Sequence, residues 1–309
     1  MQTVVTGGLG FIGSHVVERL VHSGEDTVVL DDSSSGHEKN IASCLCSPKL
    51  EVVIGDIGNA EVVNEALEGA ETVIHLAAIV SVPKSVEDPG FVNRVNVDGT
   101  LNVLKACVKN KVKRLLFAST AAVYGVSRPP LKEDLVPIAL SPYAASKIAG
   151  EAHCRAFSES YGLETVVLRL FNVYGPRSTG PYAGVMVKFA EAIKRGSPVV
   201  VFGDGKQTRD FVHVDDVVNA IVLAMRSDKA KGGIFNIGSG RSTTINHLAK
   251  LFLNPSGIDN ESLLHKEPRK SEVRYSRAEI SRARRILRYE PAVNLNSGVR
   301  EYLSWFLGQ

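Results

Sequence analysis

A doubly wound parallel α/β sheet with a smaller C-terminal lobe is the fold this sequence predicts, and three observations predict it. Short, nearly all-apolar runs alternate with stretches of helical periodicity through the first half of the chain. A glycine-rich turn joins the first such run to the first helix, and after about residue 176 the rhythm breaks into shorter elements. Residues 2–6 read as the first buried strand and 27–30 as the second; 52–54, 72–76 and 114–118 continue the series. Near-continuous apolar runs of this length suit parallel strands covered on both faces. Ile12, Val16 and Leu20 share one face of the first helix. Asp88 and Pro89 supply an N-cap and a first-turn proline for a helix running to about Lys109, and Ser141 and Pro142 open another that stops before Gly162. Farther on, helices are expected at 184–195, 215–227, 244–252, 277–287 and 296–307, with strands near 199–202 and 233–237. There is no low-complexity linker and no internal repeat. We therefore divide the chain into a core at 1–175 and a lobe at 176–309, with 207–237 able to return to the core.

The chain has 309 residues, 44% hydrophobic and 22% charged, which is a globular balance. A net charge of +3 is small for this length, so neither nucleic acid nor a membrane surface is an expected partner. No apolar run approaches the roughly 20 residues needed to cross a bilayer. Strand-like sequence begins at Gln2, leaving no room for a cleavable signal, and the expected location is the cytoplasm. Cys44, Cys46, Cys107 and Cys154 form no CxxC pair and have no histidine at zinc spacing, so no metal is expected. Residues 266–300 carry an excess of arginine and lysine, which reads as a solvated face or, in part, as an anion clamp.

The turn Thr6-Gly7-Gly8-Leu9-Gly10-Phe11-Ile12-Gly13 sits between strand and helix. Gly7, Gly10 and Gly13 permit a tight turn, close approach of backbone to a pyrophosphate, and close helix–strand packing. The helix start then offers free N–H groups to phosphate. A glycine triplet alone is compatible with a plain loop, but here Asp31 follows at the end of the second strand. An acid there accepts from the adenine ribose hydroxyls and repels a 2′-phosphate, which favours NAD over NADP. Asp31-Asp32 also reads as a solvated turn.

Tyr143 and Lys147 lie four residues apart, on one helix face, with Tyr143 in the first turn. A YxxxK pair alone can be an exposed helix pair. The helix start, Lys147 and a cationic nicotinamide would together favour the phenolate; bringing a tyrosine from about 10 to about 7 takes roughly 4 kcal/mol. Ser119 and Thr120 follow the fifth strand, where a hydroxyl points into the crevice that binds ligands and can relay a proton to Tyr143.

These motifs, with Asp56-Ile57, His75-Leu76-Ala77-Ala78, Asn96, Arg169 to Arg177, Phe202 to Phe211 and Asn236 to Gly240, run the length of the chain. The sequence so resembles the extended short-chain dehydrogenase/reductase superfamily and, within it, the UDP-glucose 4-epimerases. The resemblance implies a Rossmann core and a substrate-binding lobe, NAD as cofactor, a UDP-sugar substrate and a homodimer built on the 90–110 and 142–161 helices. It implies that Gly7, Gly10, Phe11, Ile12 and Gly13 hold the pyrophosphate, with Asp31, Asp32, Ser35 and Gly36 at the ribose and Asp56 and Ile57 at the adenine. Leu76, Ala77 and Ala78 would line the cofactor and Asn96 brace the loop beneath it. Thr120, Tyr143 and Lys147 would be catalytic: substrate hydroxyl contact, base and nicotinamide-ribose ligand. Asn172, Lys188, Arg209 and Arg269 would grip the diphosphate, Phe202 would lie near the uracil, and Ser81, Val185 and Glu272 would complete the substrate site. Ser276 takes the gate position, where a large tyrosine excludes the N-acetyl group. The run from Ser81 to Ser85 and the absence of a lysine at Val80 look more like the UDP-N-acetylglucosamine 4-epimerase branch.

Related 4,6-dehydratases carry an Asp-Glu pair after the threonine and related decarboxylases a glutamate in the same loop; here stand Ala121 and Ala122. A dehydrogenase that releases NADH and a non-catalytic dinucleotide sensor are the remaining alternatives, the second opposed by an intact Thr120, Tyr143 and Lys147. The sequence departs from the family's usual Arg-Pro-Gly-Asp before the gate, reading Arg269-Lys270-Ser271-Glu272, and Leu253 to Gly257 is atypical.

Overall fold

The computed structural model describes residues 2–179, 184–256, 263–268 and 273–309. The first part of the chain runs β1 (Gln2–Thr6), α1 (Phe11–His22), β2 (Asp26–Asp31), β3 (Leu50–Ile54), α2 (Ala60–Ala66), β4 (Thr72–His75), α3 (Val82–Glu87), α4 (Pro89–Asn93), α5 (Gly99–Lys109), β5 (Arg114–Thr120), α6 (Pro142–Tyr161) and β6 (Glu164–Leu170). The second runs β7 (Asn172–Tyr174), α7 (Val185–Lys194), β8 (Val199–Phe202), β9 (Thr208–Arg209), β10 (Phe211–His213), α8 (Val214–Arg226), β11 (Ile234–Ile237), β12 (Thr243–Thr244), α9 (Ile245–Ser256), β13 (Leu263–Lys266), α10 (Ser281–Leu287) and α11 (Leu295–Leu307).

Seven parallel strands form the central sheet in the order β11-β6-β5-β4-β1-β2-β3. The order reverses direction at β1, which lies between β4 and β2, and this opens a crevice at the carboxyl ends of β1 and β4. Val4, Val5, Val28, Val29, Val73 and Ile74 are buried because helices cover both faces. On one face α1 and α8 supply Val16, Val17, Leu20, Val217 and Ile221. On the other, α2, α5 and α6 supply Val63, Val103, Leu104, Cys107 and Cys154. Each fully buried valine or leucine contributes roughly 1.5–3 kcal/mol. At Gly150 α6 rests directly on the sheet, where a Cβ would run into the Phe117 ring.

A second apolar cluster joins α7, α9 and α11 around Phe189, Phe252 and Tyr302, with the two phenylalanine rings edge to face at 5.7 Å. β11 belongs to the large sheet, pairing with β6 from Val167 to Leu170.

Two helices differ from expectation. The helix from Asp88 is not one regular α-helix: residues 94–98 form a π-helical turn between α4 and α5. Helix 277–287 starts only at Ser281, because the backbone before it pairs with Leu131 instead: Leu131 N donates to Arg277 O at 2.8 Å and Glu279 N to Leu131 O at 2.9 Å. All four cysteines are free. Among the described residues no helix is long and apolar enough to cross a membrane, and no group of three His, Cys, Asp or Glu is placed to hold a metal.

Candidate active site

The glycine turn closes on itself through backbone. Gly7 has φ +70°, and a Cβ there would come within 2.7 Å of Ala77 N; one at Gly13 would run into the Gly7 carbonyl. At Gly10, by contrast, a Cβ would meet only Gly7 O, at 3.3 Å, so the outer side of the turn is open at the start of α1. Asp31, at the end of β2, is largely buried and accepts from Leu9 N at 3.0 Å and Ser33 N at 2.8 Å. Burial raises its pKa and those two N–H bonds oppose the rise. Each carboxylate oxygen keeps a lone pair for a ribose hydroxyl. Asp32 is exposed and caps Ser34 N, so it is the turn-forming member of the pair. Ser35 is exposed, whereas Gly36 packs so closely that a Cβ would lie 2.5 Å from Leu9 C.

Asp56 is exposed and accepts from Gly58 N; Ile57 is buried against Gly99. Leu76 N donates to Thr6 O at 3.1 Å, which holds the Leu76–Ala78 stretch beside the glycine turn. Asn96, in the π-helical turn, clasps that stretch from below: Ile79 N donates to its Oδ1 at 2.8 Å, and its Nδ2 donates to Ile79 O at 3.0 Å. Bulged turns of this kind recur where a helix must aim one side chain at a site. A dinucleotide of the NAD class fits this cradle.

Across the crevice, Ser141 Oγ accepts from Ala144 N at 3.1 Å, Pro142 opens α6, and Tyr143 lies one residue in. Thr120 ends β5, its hydroxyl accepts from Ala122 N at 3.2 Å, and it lies near enough to the Tyr143 phenol to lower that group's pKa. Lys147 Nζ donates to Ala118 O at 2.9 Å and lies 4.9 Å from the Phe117 ring centre. Tyr143 and Lys147 are buried, at 8% and 4% exposure. Burial pushes the phenol up to about 12, against the lowering effect of nearby Thr120. It also draws the lysine down to about 8. Burial thus outweighs Thr120 in the protein by itself, and the acidified phenol expected from the sequence counts the bound nicotinamide among its causes.

Beneath these groups lies a buried ionic cluster that the sequence did not reveal. Ser119 donates to Glu151, whose carboxylate takes a forked pair from Arg169 at 2.9 and 2.7 Å. Arg169 also lies 4.8 Å from the Tyr124 ring, and Tyr124 donates to Asn236 Oδ1 at 2.6 Å. Residues so far apart in the chain carry no local signal of pairing.

The expected substrate residues fall into three places. Asn172 is exposed at the start of β7, and Val185 and Lys188 stand on the first turn of α7. Phe202 lines a cavity of about 970 Å³ with Gly203, His265, Lys266, Pro268 and Arg274. Arg209 and Ser276 meet at β9, where Ser276 N donates to Thr208 O at 3.2 Å. Ser81 is different: its hydroxyl caps α3 by accepting from Lys84 N at 3.0 Å, a local helix role. Arg269 and Glu272 lie outside the described residues. At the cavity rim Arg274 makes a forked pair with Asp204 at 2.7 and 2.6 Å, which holds the carboxyl well below its usual range. The only sequence sign of that pair was Arg274's place in the basic stretch.

Comparison with known proteins agrees with this geometry. Residues 3–238 match the NAD dependent epimerase/dehydratase family. The chain is 40% identical over 312 residues to a UDP-glucose 4-epimerase of Mycolicibacterium smegmatis, covering 99% of this chain and 98% of that one. It superposes on the UDP-glucose 4-epimerase of Thermotoga maritima, solved with UDP-glucose, with a TM-score of 0.93, 39% identity and coverage of 99% and 98%. On the UDP-N-acetylglucosamine 4-epimerase of Methanobrevibacter ruminantium, solved with UDP-N-acetylmuramic acid, the TM-score is 0.94, with 38% identity and coverage of 100% and 98%. A glycine cradle, a hydroxyl–phenol–lysine group across the crevice and full-length likeness at this level make the chain a member of the NAD-dependent epimerase/dehydratase family.

Proposed function

We propose that the protein is a 4-epimerase of UDP-hexoses, acting on UDP-glucose and UDP-galactose and also on their N-acetyl counterparts. One observation carries the reading: Thr120 stands near the buried Tyr143 phenol at the crevice, and the next two positions are Ala121 and Ala122. Dehydration needs a proton-transferring acid close to the hydroxyl it expels, and none stands there. Tyr143 takes the proton of the sugar C4 hydroxyl, Thr120 steadies that hydroxyl, and Lys147 holds the nicotinamide ribose. NAD, when bound, supplies a hydride acceptor and a positive ring charge. From about 12, Tyr143 needs roughly 7 kcal/mol of further stabilisation of its phenolate to work near neutrality. Lys147, cationic below about 8, is the protein's own share of that charge.

Asn172, Lys188 and Arg209, with Arg269, anchor the diphosphate, so that the hexose can turn and take the hydride back on its other face. We assign residues 1–175 and 207–237 to the dinucleotide-binding part and most of the remaining lobe to substrate, and we propose a homodimer through the α4–α5 and α6 helices. Incubating the protein with each UDP-hexose, without added NAD, and identifying the products by NMR tests the reading: C4 epimers are expected, and loss of water or build-up of NADH would defeat it. Ser276 is buried and small at the gate position. Ser276→Tyr is expected to lower activity on N-acetylated substrates at least tenfold relative to UDP-glucose, and an unchanged ratio would remove the gate.

A further inference from the structure

We propose that His75 is a positioning residue for this reaction: a permanently neutral imidazole, fixed as its Nε2–H tautomer, that registers the cofactor turn against the catalytic helix. The catalytic part rests on the epimerase reading, whereas the tautomer rests on hydrogen bonds alone.

His75 closes β4 at 1% exposure, with Nδ1 2.7 Å from Thr6 Oγ1 and Nε2 3.0 Å from Thr100 Oγ1. The neighbours set the direction of both bonds. The Thr100 hydroxyl spends its single proton on Asn96 O, at 2.6 Å, so toward His75 it can only accept. The Thr6 oxygen accepts from Ala77 N at 3.3 Å and has its own proton left to give to Nδ1. The ring is therefore a donor at Nε2 and an acceptor at Nδ1. Past Asn96 the chain of bonds continues: Nδ2 donates to Ser146 Oγ at 3.0 Å, and Ser146 donates to Tyr143 O at 2.8 Å. Thr6 immediately precedes the glycine turn and Tyr143 is the proposed base, so the path joins the two halves of the crevice.

A neutral imidazole suits this place because it presents one donor and one acceptor on opposite edges of a rigid ring. A second ring proton would face the Thr6 hydroxyl proton. The groups packed around it are Thr6 from β1, Thr100 from α5, the Phe117 ring from β5 at 5.8 Å, and the Lys147 ammonium from α6. Burial, helped by the Lys147 charge, pushes the ring pKa down to about 3. An unfolded histidine protonates near 6.5. Between those values only the unfolded chain takes up the proton. This group's share of stability is thus complete above about pH 6.5, and the unfolding constant rises about tenfold per pH unit as pH falls toward 3.

Nitrogen-15 NMR of the histidine-labelled protein, assigned by the signal missing from His75→Gln, tests the tautomer. A bare Nδ1 and a protonated Nε2 are expected from pH 8 down to the onset of acid unfolding. Titration near 6.5, or a proton on Nδ1, would overturn it. Kinetically, His75→Leu is expected to lower kcat for UDP-glucose roughly ten- to hundredfold and to reduce the NAD retained on purification. The KM for UDP-glucose should stay within about twofold. His75→Gln, with an acceptor and a donor on its amide, should recover a large part of kcat. Wild-type kcat in His75→Leu would end the positioning role, and if that variant does not fold, failure of His75→Gln to exceed a tenth of wild-type kcat while folded and NAD-loaded would end it too. If the wild-type chain yields no epimer while the tautomer is as described, the epimerase reading fails and the tautomer stands.

Discussion

The end of the cleft proposed for the cofactor is made largely of backbone, and the end proposed for the sugar nucleotide is made of long side chains. At the first, Gly7, Gly13 and Gly36 bring chain against chain at distances no Cβ allows, and the buried carboxylate of Asp31 is itself held by two N–H groups. At the second, Lys188 stands on α7, Arg209 on β9 and the Arg274–Asp204 pair at the cavity rim, and that pair is nearly half exposed. Backbone cradles are preorganised because nothing in them rotates. Side-chain clamps can yield, which the proposed turning of the hexose requires.

Three substitutions probe this contrast. The largest effect is expected where the two ends meet: Tyr143→Phe keeps the ring but removes the proton carrier, and turnover should fall by roughly a hundred- to ten-thousandfold with NAD still bound. Product assays beside a cofactor count check it, and near-normal rates would remove Tyr143 as base. Gly13→Ala comes next. Its methyl meets the Gly7 carbonyl, so the cradle must distort, and NAD retention, read by absorbance after denaturation, should drop at least tenfold. Retained cofactor would mean that this end is as yielding as the other. The smallest effect belongs to Asp204→Asn, which breaks a pair that solvent screens. We expect the KM for UDP-sugar to rise by about two- to fivefold, with kcat unchanged; a larger loss in kcat would show the rim to be more rigid than its exposure implies.

The same contrast governs what could be read from sequence. The glycine turn, the acid after β2 and the Ser141–Pro142 start of α6 announce themselves because local chemistry dictates them: a tight turn needs glycine, and a helix start needs a cap. The π-helical turn at 94–98, which carries Asn96 to the Ile79 backbone, is invisible to periodicity because that contact is distant in sequence. Residues 277–280 read as helix and do not form one, because Leu131 claims their backbone from a distant loop. The phenol acidity argued from the helix start, Lys147 and a bound nicotinamide left out the cost of burial, which pushes the phenol up in the protein by itself. Neither Glu151–Arg169 nor Asp204–Arg274 has a local signature of its partner; long-range ion pairs are written only in the fold.

The seventh strand of the sheet has a consequence for how the chain must be made. β6 offers its outer edge to β11, which lies beyond the whole of β7 to α8. A nascent chain that ends shortly after β6 therefore carries an apolar sheet with an open flank, a template for unwanted strand pairing. Truncation between the two strands should yield an aggregating product rather than a free-standing dinucleotide module, and ribosome-associated chaperones have that interval to cover.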